Sequence, residues 1–335
     1  MASAGEARLR VSVILPVRNE EAHLGQVLDD LAHQTLAQDQ YEVIVVDGMS
    51  EDATADVAQH YAGKFANFSF LTNPARLSSA ARNLGIEHAR GEYLIFIDGH
   101  CQIPSETLLA DMLDIFAQSG VKVLCRPQPL TMEPSNRFGQ AVAAARASWL
   151  GHGLDSTIYT DEEIKIPAAS SGAMYHRSVF DQIGRFDERF DACEDVELNT
   201  RVDFAGIEAF ISPKLTVQYA PRQSAAALWR QLWRYGIGRW RLFRKHPRTL
   251  GLGTLLPPLM ALGLPLILFW AVVHPPFAMI LLVLYLIYAV LVMATSAYLL
   301  HQKREEIIPE LLAVFPIIHF ALGCGFLCGP WVRRR

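Results

Sequence analysis

Acidic residues are missing altogether from one stretch of this chain: between Arg222 and Arg248 there are eight Arg or Lys residues and no Asp or Glu. No long apolar run occurs before about residue 252, which excludes a helical membrane span ahead of that point. No apolar core precedes the first strand either, so a cleaved signal is not expected. Cysteine is scarce, with Cys101, Cys125, Cys193, Cys324 and Cys328 the five in 335 residues. Their spacing matches neither a zinc site nor a disulfide framework, which fits a reducing compartment. The net charge of −4 conceals the basic stretch, and the 51% hydrophobic content is unevenly placed. Residues 1 to about 220 read as an ordinary soluble α/β chain; from about 252 onward the sequence is mostly apolar.

What is present is organised around Tyr93-Leu94-Ile95-Phe96-Ile97-Asp98-Gly99-His100. Leu94 to Ile97 read as a strand buried on both faces, running straight into a carboxylate, a glycine and an imidazole. In open α/β sheets, ligands collect at the carboxyl ends of the parallel strands. Asp98 and His100 stand at such an end with one residue between them, so both side chains can reach one point. Oxygen and imidazole ligands together suit Mn²⁺ or a similar divalent ion, which can in turn hold a diphosphate.

Earlier strands feed the same edge. Val11 to Pro16 is a short strand that proline ends, because proline cannot donate to a ladder. Val17 to Glu21 follows as a loop, and Leu24, Val27, Leu28 and Leu31 then recur at helical spacing. Tyr41 to Val46 is a second buried strand ending in Asp47-Gly48-Met49-Ser50-Glu51-Asp52, where Ser50 or Asp52 suits the cap of the next helix. Phe68 to Leu71 is a third strand. The helix from about Ser78 to Ala89 carries Arg82 and Asn83 near its start, and an arginine there suits an anionic ligand. This rhythm predicts a right-handed, mostly parallel sheet. Further on, Thr107 to Ala117 is amphipathic and Val121 to Cys125 is a strand closed by Arg126-Pro127. Gly151-His152-Gly153 and the polar run Asp155 to Lys165 suggest a mobile loop beside the active site. Val196, Leu198 and Val202 mark a helix whose first turn carries Glu194 and Asp195; taken alone, such acids are dipole stabilisers.

These segments, in this order and spacing, resemble the family 2 glycosyltransferases with the GT-A fold. The resemblance rests on Leu15-Pro16-Val17-Arg18-Asn19-Glu20, Val45 to Asp52, Ala81-Arg82-Asn83-Leu84-Gly85-Ile86 and Gly91 to His100, and covers residues 11 to about 221. It implies that Pro16, Arg18, Glu20 and Asp47 hold the uracil and ribose of a nucleotide-sugar donor. Arg82 would lie by the nucleotide, and Asp98 would bind the metal and the ribose side of the donor. Most members have a second Asp where this chain has His100. Polypeptide N-acetylgalactosaminyltransferases have a similar Asp-x-His, which implies that Asp98 and His100 together bind Mn²⁺ or Mg²⁺. In the family, a Gly-x-Phe-Asp-Glu segment (here Gly184 to Glu188) and a following Glu-Asp pair mark the acceptor side. This assigns Gly172 and Glu194 to the acceptor and its diphosphate, and Asp195 resembles the general base. Inverting transfer needs one carboxylate to take the acceptor hydroxyl's proton. Many members also have a His after the next strand, often a metal ligand; Gln218 or Tyr219 stands near that place here.

Between Arg222 and His246, Leu228, Trp229, Leu232, Trp233, Ile237, Trp240 and Phe243 interleave with Arg230, Arg234, Arg239, Arg241, Arg244 and Lys245. Such a basic, tryptophan-rich segment directly before a hydrophobic region reads as an interfacial helix on anionic headgroups. A basic aromatic stretch also suits nucleic acid, but its neighbours point to lipid and no nucleic-acid partner is expected. Gln231-Leu232-Trp233-Arg234-Tyr235 resembles the Gln-x-x-Arg-Trp signature of processive polysaccharide synthases. That implies contact of Gln231, Arg234 and Tyr235 with acceptor and diphosphate, the alternative being a plain anchor. Three apolar stretches follow, at about 255–273, 277–300 and 311–332, each near the roughly 20 residues that cross a bilayer core. The basic patch before the first and Lys303-Arg304 after the second both belong on the cytoplasmic side; Arg333-Arg334-Arg335 pulls the C-terminus to that side too, whereas three full crossings would place it outside. Three spans are expected, although Pro316, Gly323 and Gly325 would let the last stretch re-enter instead.

The whole reads as a GT-A catalytic domain over 1–221, a basic interfacial segment over 222–251 and a membrane domain of two to three hydrophobic segments over 252–335. The expected protein is a metal-dependent inverting glycosyltransferase of the cytoplasmic membrane, its catalytic domain in the cytoplasm. A nucleotide-sugar, of the UDP type, is the expected donor and a polyprenyl-diphosphate-linked saccharide the expected acceptor. In layout the chain is similar to bacterial exopolysaccharide enzymes of the succinoglycan glucosyltransferase type. Processive synthases usually carry spans on both sides of the catalytic domain, and this chain has none before residue 252. The alternatives are a transferase that makes a polyprenyl-phosphate-linked monosaccharide and an inactive membrane scaffold.

Overall fold

Every residue of the strand β2 (Tyr41–Asp47) is buried, and so is all of β1 (Val11–Val17) except Pro16, which is half-buried. Strands covered on both faces read as continuous apolar runs, which is why Val43 to Val46 shows no alternation. The two faces are nonetheless distinct. Val13, Leu15, Val43, Val45 and Ile95 join a core with Leu24, Leu28, Met112 and Phe116 on one side. Ile14, Ile44, Val46, Leu94 and Phe96 join Ala81, Ile86, Leu198 and Val202 on the other.

The computed structural model describes residues 9–132, 136–152, 158, 160–303 and 308–332. After β1 come α1 (Leu24–Ala32), β2, α2 (Thr54–Tyr61), β3 (Phe68–Thr72), α3 (Ser78–His88) and β4 (Tyr93–Phe96). Then follow β5 (Cys101–Gln102), α4 (Leu108–Ser119), β6 (Val123–Cys125), α5 (Arg137–Arg146), β7 (Ile164–Ile166) and β8 (Gly172–His176). The chain continues through α6 (Ser178–Ile183), α7 (Glu194–Phe204), β9 (Ala209–Ile211) and β10 (Gln218–Tyr219). Four helices end it: α8 (Ala225–Lys245), α9 (Leu252–Val273), α10 (Pro275–Lys303) and α11 (Ile308–Cys328).

The main sheet has eight strands in the order β3-β2-β1-β4-β8-β6-β9-β7. β3, β2, β1 and β4 are parallel, as expected. β8 runs antiparallel to both β4 and β6. Because it runs against β4, its beginning rather than its end lies at the edge where β4 stops. Gly172 is thereby delivered to the edge that holds Asp98. β10 and β5 form a separate antiparallel pair, with Tyr219 opposite Cys101.

The chain falls into two compact units, 1–132 with 157–219, and 133–156 with 220–335. The sequence reading places 133–156 in the first region; by packing, this segment belongs with the second. Its helix α5 packs on α11, and Glu310 of α11 pairs with Arg137 at 3.2 Å. α9, α10 and α11 contain segments long and apolar enough to cross a membrane, with mean hydropathies of 2.1, 2.8 and 2.2. Part of the expected mobile loop (153–157 and 159), Arg304 and Arg333-Arg334-Arg335 lie outside the described residues.

Candidate active site

Val17, Asp47 and Thr72 lie side by side where β1, β2 and β3 end. The chain turns sharply there, with non-glycine residues in the left-handed region: Asn19 at φ 55° after β1, Met49 at 59° after β2 and Arg76 at 57° after β3. Cys193, at φ 61°, does the same just before α7. Such conformations persist when the surroundings over-determine them. Around Asn19 they do: its amide donates to Ser50 Oγ at 2.9 Å and its Oδ1 accepts from the Glu51 amide at 2.9 Å. Asp47 closes its own loop, accepting from the Ser50 amide at 3.1 Å and the Ser50 hydroxyl at 2.5 Å.

Asp98 is the hub. Its Oδ1 accepts from Arg82 Nη2 at 3.1 Å and its Oδ2 from the Tyr219 hydroxyl at 3.0 Å. Arg82 also donates from Nη1 to Glu194 Oε1 at 2.7 Å, so one guanidinium joins α3, the end of β4 and the start of α7. Burial pushes the Asp98 carboxyl upward, but the charges of Arg82, His100 and Arg126 and the Tyr219 hydroxyl outweigh it and hold Asp98 below its ordinary range. Glu194 moves the other way: burial and the neighbouring Asp195 raise it, against the pull of Arg82. For Arg82, burial works against the charge, but Glu194, Asp98 and Asp195 raise its pKa on balance.

A pocket opens beside this hub, lined by Arg82, Asp98, Arg126, Gln128, Gly172, Asp195 and Tyr219. Arg126, only 2% exposed, donates from Nη2 to the Tyr219 hydroxyl at 3.1 Å. Its Nε and Nη1 have no hydrogen-bond partner among the described residues. A buried guanidinium with unsatisfied donors at a pocket wall calls for an anion. Asp195 is exposed and makes no ion pair among the described residues; its Oδ1 accepts from the Val196 amide at 2.8 Å. Gly172 has no room for a side chain, since a Cβ there would stand 2.5 Å from Asn199 Oδ1. Asn199 instead donates to the Gly172 carbonyl at 2.9 Å, tying β8 to α7. Asn83 clamps the segment before α7, exchanging hydrogen bonds with the Phe186 backbone at 3.0 and 2.9 Å.

The residues fit a divalent ion of one particular kind. His100 Nδ1 donates to Glu20 Oε1 at 2.9 Å, and a carboxylate on the far ring nitrogen is the usual way a ligand imidazole is oriented. No group of three His, Cys, Asp or Glu is gathered for a metal among the described residues. Asp98 and His100 are thus suited to an ion that takes its remaining ligands from a diphosphate and water, as Mg²⁺ does in phosphate-binding sites.

Of the residues expected from sequence, the structure gathers Arg82, Asp98, Gly172 and Asp195 around one pocket. Glu194 sits behind them, committed to Arg82. Glu20 joins the group through His100. Pro16, half-buried opposite Val46 in the strand register, and Asp47 stay on the β1–β2 edge. Arg18 is exposed and lies against Gly48. Tyr219, rather than Gln218, occupies the place beside Asp98. Gln231, Arg234 and Tyr235 are on α8 in the second unit, where Gln231 accepts from Arg222 Nε and donates to the Tyr235 hydroxyl, both at 3.2 Å. Arg126 and Gln128 also line the pocket, although the sequence reading does not single them out. The signal for Arg126 was a charged residue directly after a wholly apolar strand, the same pattern that marks Asp98.

The Glycosyl transferase family 2 model matches residues 12–184. The chain belongs to that family of transferases, and its relatives include exopolysaccharide and lipid-linked glycosyltransferases. It is 28% identical over 320 residues to succinoglycan biosynthesis protein ExoA of Rhizobium meliloti (strain 1021), covering 94% of this chain and 93% of that one. It is 24% identical over 239 residues to the dolichyl N-acetyl-alpha-D-glucosaminyl phosphate 3-beta-D-2,3-diacetamido-2,3-dideoxy-beta-D-glucuronosyltransferase of Methanococcus voltae, covering 70% and 74%. Among solved structures, mannosyltransferase PcManGT from Pyrobaculum calidifontis, in complex with GDP-Man and Mn²⁺, matches with a TM-score of 0.60. Identity there is 20%, over 97% of this chain and 88% of that one, so the likeness is one of fold.

Proposed function

We propose that this protein is an inverting glycosyltransferase of the cytoplasmic membrane, its catalytic unit in the cytoplasm, that moves a sugar from a UDP-sugar to a polyprenyl-diphosphate-linked saccharide in extracellular polysaccharide assembly. The observation that carries the reading is the division of labour between adjacent acids. Glu194 is buried against Arg82, while Asp195 lines the pocket and remains available as a base. Asp195 takes the proton of the acceptor hydroxyl as that oxygen attacks the anomeric carbon. The bond from that carbon to the donor's phosphate oxygen breaks, and the electron pair leaves on the nucleoside diphosphate. Arg82 and Arg126 meet the charge that develops there, in a site where fixed donors need no reorganisation. Mn²⁺ or Mg²⁺, held by Asp98 and His100, would add a further positive charge beside the leaving diphosphate.

Pro16, Arg18, Glu20 and Asp47 bind the nucleoside on this reading. Gln231, Arg234 and Tyr235 contact the acceptor's diphosphate, as the synthase-like segment suggests. A lipid-linked acceptor is supported by the overall similarity to the succinoglycan protein and by the dolichyl phosphate in the name of the Methanococcus relative. Purified full-length protein in lipid, offered a panel of UDP- and GDP-sugars, tests the proposal. It should consume a UDP-sugar, glycosylate a polyprenyl-diphosphate saccharide and invert the anomeric configuration. Transfer only to bare polyprenyl phosphate would establish the lipid-monosaccharide alternative, and retention of configuration would overturn the one-carboxylate scheme.

A further inference from the structure

We infer that Arg146, in the last turn of α5, and Arg239, on α8, form a binding site for the phosphate group of a polyprenyl lipid. The site lies wholly in the helical second unit and shares no residue with the pocket around Asp98. It rests on the reading above for the identity of the lipid, and extends the acceptor contact from α8 onto a second helix. Tyr235 and Arg239 stand one turn apart, so both belong to one face of α8.

Helices α5 and α8 pack against the same helix, α11. α8 does so backbone to backbone: a Cβ on Gly236 would stand 2.2 Å from the Leu322 carbonyl oxygen, and one on Gly325 2.0 Å from that of Trp233. Beyond α5 the chain turns back on the end of the helix. Ser148 Oγ donates to the Ala145 carbonyl at 2.6 Å, and the His152 amide donates to the Ser148 carbonyl at 3.1 Å. Gly151 comes so near that a Cβ on it would stand 2.0 Å from the Ala145 carbonyl oxygen. His152 is thereby folded beside Arg146. Burial first, then the charges of Arg146 and Arg239, depress its imidazole. Two cations from separate helices thus act on one side chain.

Neither guanidinium makes a hydrogen bond or ion pair among the described residues, and Arg146 Nε is shut off from solvent as well. Buried donors in that condition are rare. No carboxylate is at hand to compensate. Glu310 is the one Asp or Glu among the described residues of this unit, and it pairs with Arg137 at 3.2 Å. Guanidinium forks left open in this way suit the oxygens of a phosphate.

The surroundings say what carries the phosphate. Trp149, in the same turn, is 53% exposed, and tryptophan is suited to the headgroup level of a membrane. The Leu150 carbonyl accepts from His319 Nε2 of α11 at 2.9 Å, and His319 Nδ1 accepts from the Tyr288 hydroxyl of α10 at 2.8 Å. The turn is therefore fastened to two of the helices that are apolar enough to cross a membrane. A phosphate on a hydrocarbon chain matches both the cations and the apolar helices beside them. A soluble anion would match only the cations.

The test is binding of radiolabelled polyprenyl diphosphate to the full-length protein in nanodiscs of neutral lipid, with no donor present. The unsubstituted protein should bind it, and Arg146→Gln/Arg239→Gln should bind at least about tenfold more weakly. Arg244→Gln, which takes the same charge from α8, should bind normally. Polyprenol without phosphate should not distinguish the proteins. Removal of two uncompensated cations should leave the ligand-free thermal midpoint unchanged or raise it. No binding by the unsubstituted protein, or equal losses in Arg244→Gln, would overturn the site. Undiminished binding by the double variant would do the same, and weak binding with a lowered midpoint would make the pair structural. Displacement of the label by an equal mole fraction of phosphatidylglycerol would assign the cations to ordinary headgroups instead. A protein that binds the lipid but transfers no sugar to it would fail the proposed function and leave this site standing.

Discussion

The Tyr219 hydroxyl donates to Oδ2 of Asp98 at 3.0 Å across 121 residues of chain. Burial and the adjacent Asp98 charge push this phenol well above its ordinary range, so it remains a neutral donor. With Arg82 on Oδ1, it fixes the carboxylate from both sides. Tyr219→Phe should weaken metal-dependent UDP binding by roughly tenfold, the order expected for one hydrogen bond to a charged group. Tyr219→His should instead tighten Mn²⁺ binding by supplying a third protein ligand. Calorimetry with UDP and Mn²⁺ on both variants checks this, and unchanged affinities would mean that the hydroxyl does not tune the site.

Asp195→Asn should abolish transfer while leaving UDP affinity nearly intact, because it removes a base and no donor contact. Loss of a positioned base costs on the order of 10²–10⁴ in rate. Near-normal turnover would sink the assignment.

Arg126→Ala should raise the KM for the sugar nucleotide by about tenfold or more, since it removes a buried cation facing the diphosphate. Arg126→Lys should recover only part of the loss, because an ammonium cannot reproduce the two-pronged contact. A rise in acceptor KM alone would reassign Arg126 to the acceptor's phosphate.

Arg234→Ala should lower transfer to a lipid-diphosphate acceptor by at least about tenfold, equivalent to roughly 1.4 kcal/mol of transition-state stabilisation. Membrane association should be unchanged, because spans hold a chain far more firmly than an interfacial helix does. Arg244→Ala should have little effect. Equal, mild losses in both would make the stretch a generic anchor.

His152 gives a pH dependence of known sign. Burial first, then the guanidiniums of Arg146 and Arg239, push its imidazole from 6.5 to about 3. Between those values the unfolded chain binds more protons than the folded one, so stability rises with pH through the window and falls on acidification. The thermal midpoint in detergent should therefore drop from neutral pH to about pH 5, and drop less in His152→Gln. Equal slopes in the two proteins would remove His152 as the cause.

How far the sequence can be read depends on how local the deciding physics is. Asp98, Arg82 and Asp195 follow an apolar strand or open a helix, and such places announce themselves in a linear chain. Arg126 follows a strand of only three residues and looks like its closing charge; its burial depends on Tyr219, far along the chain. The α5 helix is Ala-rich with little pattern, so nothing local says that it leaves the sheet domain for α11. In α11 composition alone does not say what covers the helix. An apolar helix of span length looks the same whether lipid or protein covers it, and the close approach of Gly236 to Leu322 is visible only in three dimensions. The antiparallel course of β8 is similarly a matter of partners, since Gly172 to Tyr175 would suit either direction.

Arg82 takes its two carboxylates from very different distances along the chain, Asp98 at 16 residues and Glu194 at 112. The guanidinium is therefore a joint between an early segment built of parallel strands and a late one that carries Asp195. Neither half can be exchanged freely. A hybrid that joined the first strands of one such enzyme to the later segment of another would inherit a working corner only if arginine and glutamate arrived as a matched pair. Any redesign of what the late segment recognises therefore has to leave this one ionic joint standing.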